Sequence, residues 1–151
     1  MSPPVVVERW IKASPQTVFG FLTDPDKWVR WQGTRAELDP RPGGIYRVHV
    51  RAGVTASGRF VEVQPYRRVV FTWGFELPDH PIPPGSTLVQ IDLIPDGDNT
   101  LVRLTQERVP PAGVVPVRRG WEDYLDRLQT VAAGGDPGPD PGGVPQPTQG
   151  G

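Results

Sequence analysis

The sequence predicts one α+β domain in which a strongly curved antiparallel sheet of seven strands surrounds a long C-terminal helix. Three observations predict this fold. A strand and two short helices begin the chain, six segments of alternating hydrophobicity follow from residue 35 to residue 108, and a single amphipathic helix comes last. With 151 residues, the chain has the length of one ordinary domain.

The N-terminal part predicts a strand that leads into two short helices. Residues 5–11 are rich in β-branched side chains, which favour strands. Ser14 is followed by Pro15, and Asp24 by Pro25, and each pair is a typical N-cap with proline in the first helical turn. Two helices are therefore expected directly after the first strand.

The middle of the chain predicts six further strands joined by turns. The alternating segments are Arg35 to Leu38, Gly44 to Arg51, Ala56 to Gln64, Arg68 to Phe75, Ser86 to Ile94 and Thr100 to Arg108. No connection has room for a crossover helix, so each strand should run antiparallel to the next. The proline-rich stretch from Pro78 to Gly85 is expected to be a loop.

The last predicted element is an amphipathic helix that opens at Pro116. Its apolar side chains recur at helical spacing: Val117, Trp121, Tyr124, Leu125, Leu128, Val131 and Ala132. We take residues 1–133 as the domain. Residues 134–151 are rich in proline and glycine, contain almost nothing apolar to bury, and are expected to form a disordered tail.

This order of elements is the helix-grip arrangement, and several short sequence motifs indicate a particular family with this fold. The motifs are Ala13-Ser14-Pro15 with Val18-Phe19, Thr23-Asp24-Pro25 with Trp28 and Trp31, Arg41-Pro42-Gly43-Gly44, Gly58 with Glu62, Val69 to Trp73, and Gly120 to Leu128. Over about residues 5 to 133, the chain resembles bacterial relatives of the C-terminal domain of the activator of the heat-shock-protein-90 ATPase. These belong to the START and pollen-allergen-like (SRPBCC) superfamily. The resemblance implies the helix-grip fold, but a superfamily of lipid carriers, hormone receptors, aromatic cyclases and co-chaperone domains does not select one function.

Composition and charge exclude several classes of function. The 16 basic and 17 acidic residues give a net charge of −1, so no overall field attracts nucleic acid. The absence of cysteine excludes disulfides and thiolate chemistry, and His49 and His80 lack metal-ligand spacing. No serine lies in a nucleophile elbow, and no glycine motif precedes a helix as phosphate loops do. We therefore predict no metal, no cofactor and no nucleic-acid partner.

The sequence also sets an expectation for location and assembly. The N-terminus lacks the basic region and apolar stretch of a signal peptide, and nowhere do about 18 apolar residues run together. We expect a cytoplasmic protein without a membrane span, either a monomer or a homodimer.

The candidate binding site lies between the concave face of the sheet and the last helix. Strand alternation directs alternate side chains of each strand toward this helix. The residues predicted to line a pocket there are Trp28, Trp31, Tyr46, Val48, Phe60, Glu62, Phe71, Trp73, Trp121, Tyr124 and Leu125. The alternative is that these large side chains fill the space as ordinary core.

Glu62 is the polar anomaly in this set. Alternation places it on the same face as Phe60, where burial would make it a hydrogen-bond partner for a ligand or a proton donor. The alternative is that the strand tilts, so that Glu62 reaches solvent or pairs with an arginine such as Arg9 or Arg68.

Three functions remain open at this point. The favoured one is a module that binds a hydrophobic, aromatic or lipid-like small molecule, with Glu62 or Tyr124 as the polar contact. The resemblance implies a second, a co-chaperone-like module of the stress response that contacts a chaperone ATPase through a sheet face or the Pro78 to Gly85 loop. The third is a cyclase- or hydrolase-like enzyme with Glu62 as the acid or base. Of the three, we expect catalysis least.

Overall fold

The computed structural model describes residues 3–51 and 53–140. Its elements are β1 (Val5–Ile11), α1 (Pro15–Thr23), α2 (Pro25–Trp28), β2 (Arg35–Leu38), β3 (Ile45–Arg51), β4 (Val54–Gln64), β5 (Arg68–Phe75), β6 (Thr87–Asp96), β7 (Asn99–Glu107), a 3₁₀ turn (Pro111–Gly113) and α3 (Val114–Ala132). The strands form one sheet in the order β1-β7-β6-β5-β4-β3-β2, and every neighbouring pair is antiparallel. The predicted seven-stranded antiparallel sheet with a C-terminal helix is confirmed.

The two short helices begin at the predicted caps. The Ser14 hydroxyl accepts a hydrogen bond from the Thr17 N–H at 3.2 Å, and the Asp24 carboxylate accepts one from the Asp26 N–H at 2.9 Å. Each bond satisfies an N–H that has no partner within its helix. After α2 the chain turns at Gly33, whose φ of 77° is the left-handed conformation that glycine adopts most readily.

The helix α3 begins two residues before the predicted start. Pro116 lies in its first turn, where the backbone N–H would have no helical partner in any case. Its apolar stripe is buried, and Leu125 and Leu128 are fully enclosed in the core. Polar side chains of α3 reach the edge strand β1: Gln129 donates to the Trp10 carbonyl at 2.6 Å. The helix thereby covers backbone groups of an edge strand.

The register of β4 differs from the expected alternation. Phe60 pairs with Phe71, whereas Glu62 pairs with Val70, so Val61 is the extra residue of a β-bulge. The bulge leaves Phe60 in the core and turns Glu62 toward the outer face of the sheet. The prediction that Phe60 and Glu62 share the concave face is therefore wrong, because alternation holds only where no residue is inserted.

The chain beyond α3 turns back onto the protein, and we call residues 134–140 the C-terminal strap. Arg127 of α3 donates to the carbonyls of Pro137 at 3.1 Å and Gly138 at 2.7 Å. The strap therefore contacts the fold beyond the predicted domain boundary at residue 133, which differs from the disorder expected for this stretch. Residues 141–151, the rest of the predicted tail, lie outside the described residues.

Candidate functional site

A cavity of about 430 Å³ lies at one end of the concave face, beneath the first half of α3. It is bounded by β3, β5, the loop before β6 and α3. Its lining residues include Gln32, Val50, Trp73, Phe75, His80, Ile82, Val117, Gly120, Trp121 and Tyr124. Its volume falls within the roughly 300–1,000 Å³ of small-molecule sites, and most of its wall is apolar.

The predicted site residues divide into three groups. Trp73, Trp121 and Tyr124 line the cavity. Glu62 lies on the outer face, as described above. The other predicted residues are packed in the core and at most 1% exposed: Trp28, Trp31, Tyr46, Val48, Phe60, Phe71 and Leu125. The large side chains thus both fill the concave face and line a space at one end of it.

The filled part of the concave face is a dense aromatic cluster. Tyr46 stacks on Phe71 with ring centroids 4.1 Å apart, and Phe60 meets both rings edge-on. Trp28 and Trp31 pack against each other at 4.6 Å. These contacts leave no space at the middle of the concave face. The cavity is therefore confined to the end of β5 where Trp73, rather than Phe71, is the inward-facing aromatic residue.

A buried chain of hydrogen bonds links the Trp121 indole to the backbone of Trp73 at the cavity wall. The indole N–H of Trp121 donates to the Gln106 side-chain oxygen at 2.6 Å, and the Gln106 amide donates to the Thr87 hydroxyl at 2.9 Å. Thr87 in turn donates to the Trp73 carbonyl at 2.7 Å. Sequence reasoning missed Gln106, although a polar residue two positions after Leu104 on the inward side of β7 is a signal for such a network.

Gln32 and His80 are further polar groups at the cavity wall. The Gln32 oxygen accepts from the Trp28 indole at 3.0 Å, so the NH₂ group is the part of this amide available to a ligand. His80 Nδ1 accepts from the Ile82 N–H at 2.9 Å, which in the neutral ring puts the proton on Nε2. Few polar groups with fixed orientations in an apolar wall are typical of a site that orients one ligand.

Tyr46 is unsuited to proton transfer. Burial raises the pKa of its hydroxyl far above the ordinary value, while the nearby Trp73 indole acts weakly in the opposite direction. The Tyr46 hydroxyl and the Trp73 N–H have no hydrogen-bond partner among the described residues. The hydroxyl therefore stays protonated at neutral pH.

The carboxylate of Asp140, the last described residue of the strap, lies beside the cavity. It accepts a hydrogen bond from the Gly33 backbone N–H at 2.7 Å and another from the Tyr124 hydroxyl at 3.3 Å. Asp140 is only 6% exposed. Sequence reasoning missed it, because the composition around it indicates a solvated tail.

On the outer face, charged side chains pair with one another. The Glu62 carboxylate, whose side chain is 39% exposed, lies 3.9 Å from Arg68 and accepts a hydrogen bond from Gln64. This is the arginine pairing that the sequence left open as the alternative. Arg68 itself binds Asp92 at 2.7 Å. Glu62 therefore belongs to a surface ion-pair cluster.

A second ion-pair cluster on the outer face joins Arg47 to two acids. Arg47 donates to Glu76 at 2.8 Å and to Glu37 at 3.1 Å. These bonds, chiefly the one to Glu76, raise the pKa of Arg47, and the same guanidinium lowers the pKa of Glu76. The cluster contributes surface charge pairing and does not reach the cavity wall.

Within residues 3–51 and 53–140, no three His, Asp or Glu side chains gather as ligands for one metal ion. No helix in the same residues is long and apolar enough to cross a membrane.

Comparison with known proteins places the chain in a family. The model of the family described as activator of Hsp90 ATPase homolog 1-like protein matches residues 12–133. The chain belongs to this family. The match spans the elements from the end of β1 to the end of α3, and it confirms the resemblance seen in the sequence. It ends before the C-terminal strap.

Solved structures of the family and its neighbours have the same fold. An AHSA1-like protein from Rhizobium etli is 45% identical, over 93% of this chain and 89% of that one, with a TM-score of 0.68. CalU16 from Micromonospora echinospora is 27% identical, over 87% and 76%, with a TM-score of 0.71. The Aha1 dimer from Colwellia psychrerythraea is 18% identical, over 89% and 98%, with a TM-score of 0.76, and supports the fold alone. A search of the curated proteins found no match.

Proposed function

We propose that the protein binds a hydrophobic small molecule in the cavity beneath α3. The observation that carries this proposal is the partly open, mostly apolar space of about 430 Å³ between Trp73, Trp121 and Ile82. Side chains fill the middle of the concave face as an ordinary core, whereas this end leaves a space of the size that small-molecule sites have. Its polar groups are few and held in place, which favours binding of one oriented ligand.

Gly120 supports the proposal independently of the cavity volume. This residue lies inside α3, where glycine is about 1 kcal/mol less favourable than alanine. A Cβ atom added at Gly120 would meet no heavy atom within 4 Å, so no close packing requires glycine there. The glycine faces the cavity and keeps its wall open.

The same geometry favours binding over catalysis. Glu62, which the cyclase or hydrolase hypothesis needs inside the cavity, is paired with Arg68 on the outer face. Tyr46 is buried in the aromatic cluster and does not line the cavity, and burial raises the pKa of its hydroxyl, so it supplies no base there. We infer that the protein binds a small molecule and does not catalyse a reaction. A chaperone ATPase is the second candidate partner.

Isothermal titration calorimetry with methyl 2-naphthoate, a neutral aromatic probe, tests the proposal. Wild-type protein should bind it, and a free probe concentration of about a hundred times Kd should raise the free energy of unfolding by about 2.7 kcal/mol, with a corresponding rise in the unfolding temperature. Gly120→Leu, which puts a side chain into the cavity, should remain folded by circular dichroism and lose binding. Equal binding by wild type and Gly120→Leu would locate the probe elsewhere and refute the proposal.

A second experiment does not depend on the choice of probe. Native mass spectrometry of protein purified from its own host should show a bound small molecule that is absent from Gly120→Leu prepared in the same way. If the wild-type protein carried no adduct and no lipophilic probe raised its unfolding temperature, the cavity would have no binding role.

A further inference from the structure

The Asp140 carboxylate occupies a site that the domain itself builds at the edge of the cavity. Its two oxygens accept from the Gly33 N–H at 2.7 Å and the Tyr124 hydroxyl at 3.3 Å. Gly33 directly follows Gln32, and both Gln32 and Tyr124 line the cavity. A buried carboxylate of the chain therefore lies next to an apolar space of ligand size.

The two donors belong to fixed parts of the fold. Gly33 has a φ of 77°, and a Cβ atom there would lie 2.4 Å from the His49 carbonyl oxygen, so this backbone position requires glycine. Tyr124 lies on α3, between buried Trp121 and buried Leu125. The donors are thus held by the turn after α2 and by α3, while only the acceptor comes from the strap.

The strap is attached in a way that allows it to leave. Residues 134–140 contain no strand or helix, and Arg127 holds them through the backbone carbonyls of Pro137 and Gly138. Releasing the strap would break these hydrogen bonds without disturbing any pair of strands. The carboxylate site would then be open to another acid.

We propose that Gly33 and Tyr124 form a carboxylate-binding subsite of the ligand cavity, which the strap occupies with Asp140 when no ligand is bound. This inference rests on the proposed function and specifies its ligand class, a hydrophobic carboxylic acid. The hydrophobic part of the ligand lies in the cavity, and its carboxylate replaces that of Asp140. Buried donors that would otherwise lose their partner favour an acid over its neutral analogue.

Competition with the strap predicts a measurable difference between an acid and its ester. The apparent Kd of a ligand equals its intrinsic Kd divided by the fraction of protein with a free site. If Asp140 fills the subsite nine-tenths of the time, its removal strengthens binding of an acid by about tenfold. A neutral ester does not need the subsite, so its affinity stays the same.

The test compares 2-naphthoic acid with methyl 2-naphthoate by isothermal titration calorimetry on the full chain. Asp140→Ala should bind the acid about tenfold more tightly than wild type and the ester equally well. Asp136→Asn is the matched control, because it removes the same charge from an exposed position of the strap and keeps an oxygen that can accept from the Gly138 N–H, as Asp136 does at 2.8 Å. This control should change the affinity for neither probe.

A double variant separates a true subsite from simple relief of charge repulsion. Adding Tyr124→Phe to Asp140→Ala removes one donor, so binding of the acid should weaken by about tenfold, and the acid should lose much more affinity than the ester. If the gain of Asp140→Ala survived in the double variant, or if Asp140→Ala bound the acid no better than wild type, the subsite would be refuted although the ester still bound. Failure of both probes to bind any of these proteins would refute the proposed function, and this inference with it.

Discussion

Replacement of Gly120 by alanine should stabilise the protein, although Gly120 lies at the cavity wall. The residue is inside α3 (Val114–Ala132), and an added Cβ atom would have no heavy atom within 4 Å. Alanine is about 1 kcal/mol more favourable than glycine in a helix interior. With no steric cost to subtract, Gly120→Ala should raise the free energy of unfolding by about 1 kcal/mol. In a domain of this size that corresponds to an increase of roughly 3 °C in Tm.

Urea unfolding followed by far-ultraviolet circular dichroism measures this change. Gly20→Ala is the matched control, since Gly20 is also inside a helix but lies in α1 and does not line the cavity. Its added Cβ atom would approach the flexible end of Lys27 at 3.3 Å, so a similar or smaller gain is expected. A loss of stability in Gly120→Ala alone would mean that other atoms fill the space at this wall, and the reasoning from the cavity would fail.

Three further predictions concern the surroundings of the cavity. Gln106→Leu leaves the buried Trp121 N–H without its acceptor and should lower the free energy of unfolding by about 2 kcal/mol in urea, whereas an unchanged value would mean that this bond contributes nothing. Glu62→Gln should change the free energy of unfolding by less than about 0.5 kcal/mol, and calorimetry should show unchanged binding of methyl 2-naphthoate. If the variant lost binding, Glu62 would have to be part of the binding site. Because Arg47 lowers the pKa of Glu76, this pair stabilises the fold above the unfolded pKa of about 4.3, and the contribution is lost as pH falls through the lower folded pKa. Between about pH 5 and pH 2, Glu76→Gln should therefore lose less free energy of unfolding than wild type, as measured by urea titration at each pH. An equal loss in the two proteins would contradict this.

The order and type of the elements were predictable because their signals are local. The cap at Ser14 and the cap at Asp24 each need only the residues beside them, and both form the predicted hydrogen bonds. The strands β1, β2 and β5 also have the predicted bounds, since each is a run of suitable side chains between turn residues. Short turns then leave antiparallel pairing as the arrangement available to these strands.

The position of Glu62 was not predictable from the same signals. A bulge adds one residue to a strand, and nothing in the β-branched and aromatic pattern of β4 marks Val61 as that residue. Counting in twos from Phe60 therefore placed Glu62 on the wrong face. The ion pair with Arg68 is the physical result of this single inserted residue.

The division between filled core and open cavity depends on tertiary structure. Phe71 and Trp73 are both large aromatic residues on the inward side of β5, and no sequence signal near either one distinguishes a core position from a cavity wall. Phe71 is covered by Tyr46 and Trp28, whereas Trp73 faces the start of α3, where Gly120 supplies no side chain. Only the path of α3 across the sheet distinguishes the two positions.

One stripe of α3 connects the cavity to the C-terminal strap. Gly120, Tyr124 and Arg127 follow the spacing of i, i+4 and i+7, which places them along one side of a helix. The backbone positions of Gly120 and Tyr124 are about 6 Å apart along the helix axis, and the next turn holds the strap through Arg127. An acid in the cavity would therefore compete with Asp140 for the Tyr124 hydroxyl, whereas a neutral ligand would leave Asp140 in place. Charge should thus decide between ligands of similar size, because only an acid has the chemical group that takes the place of Asp140.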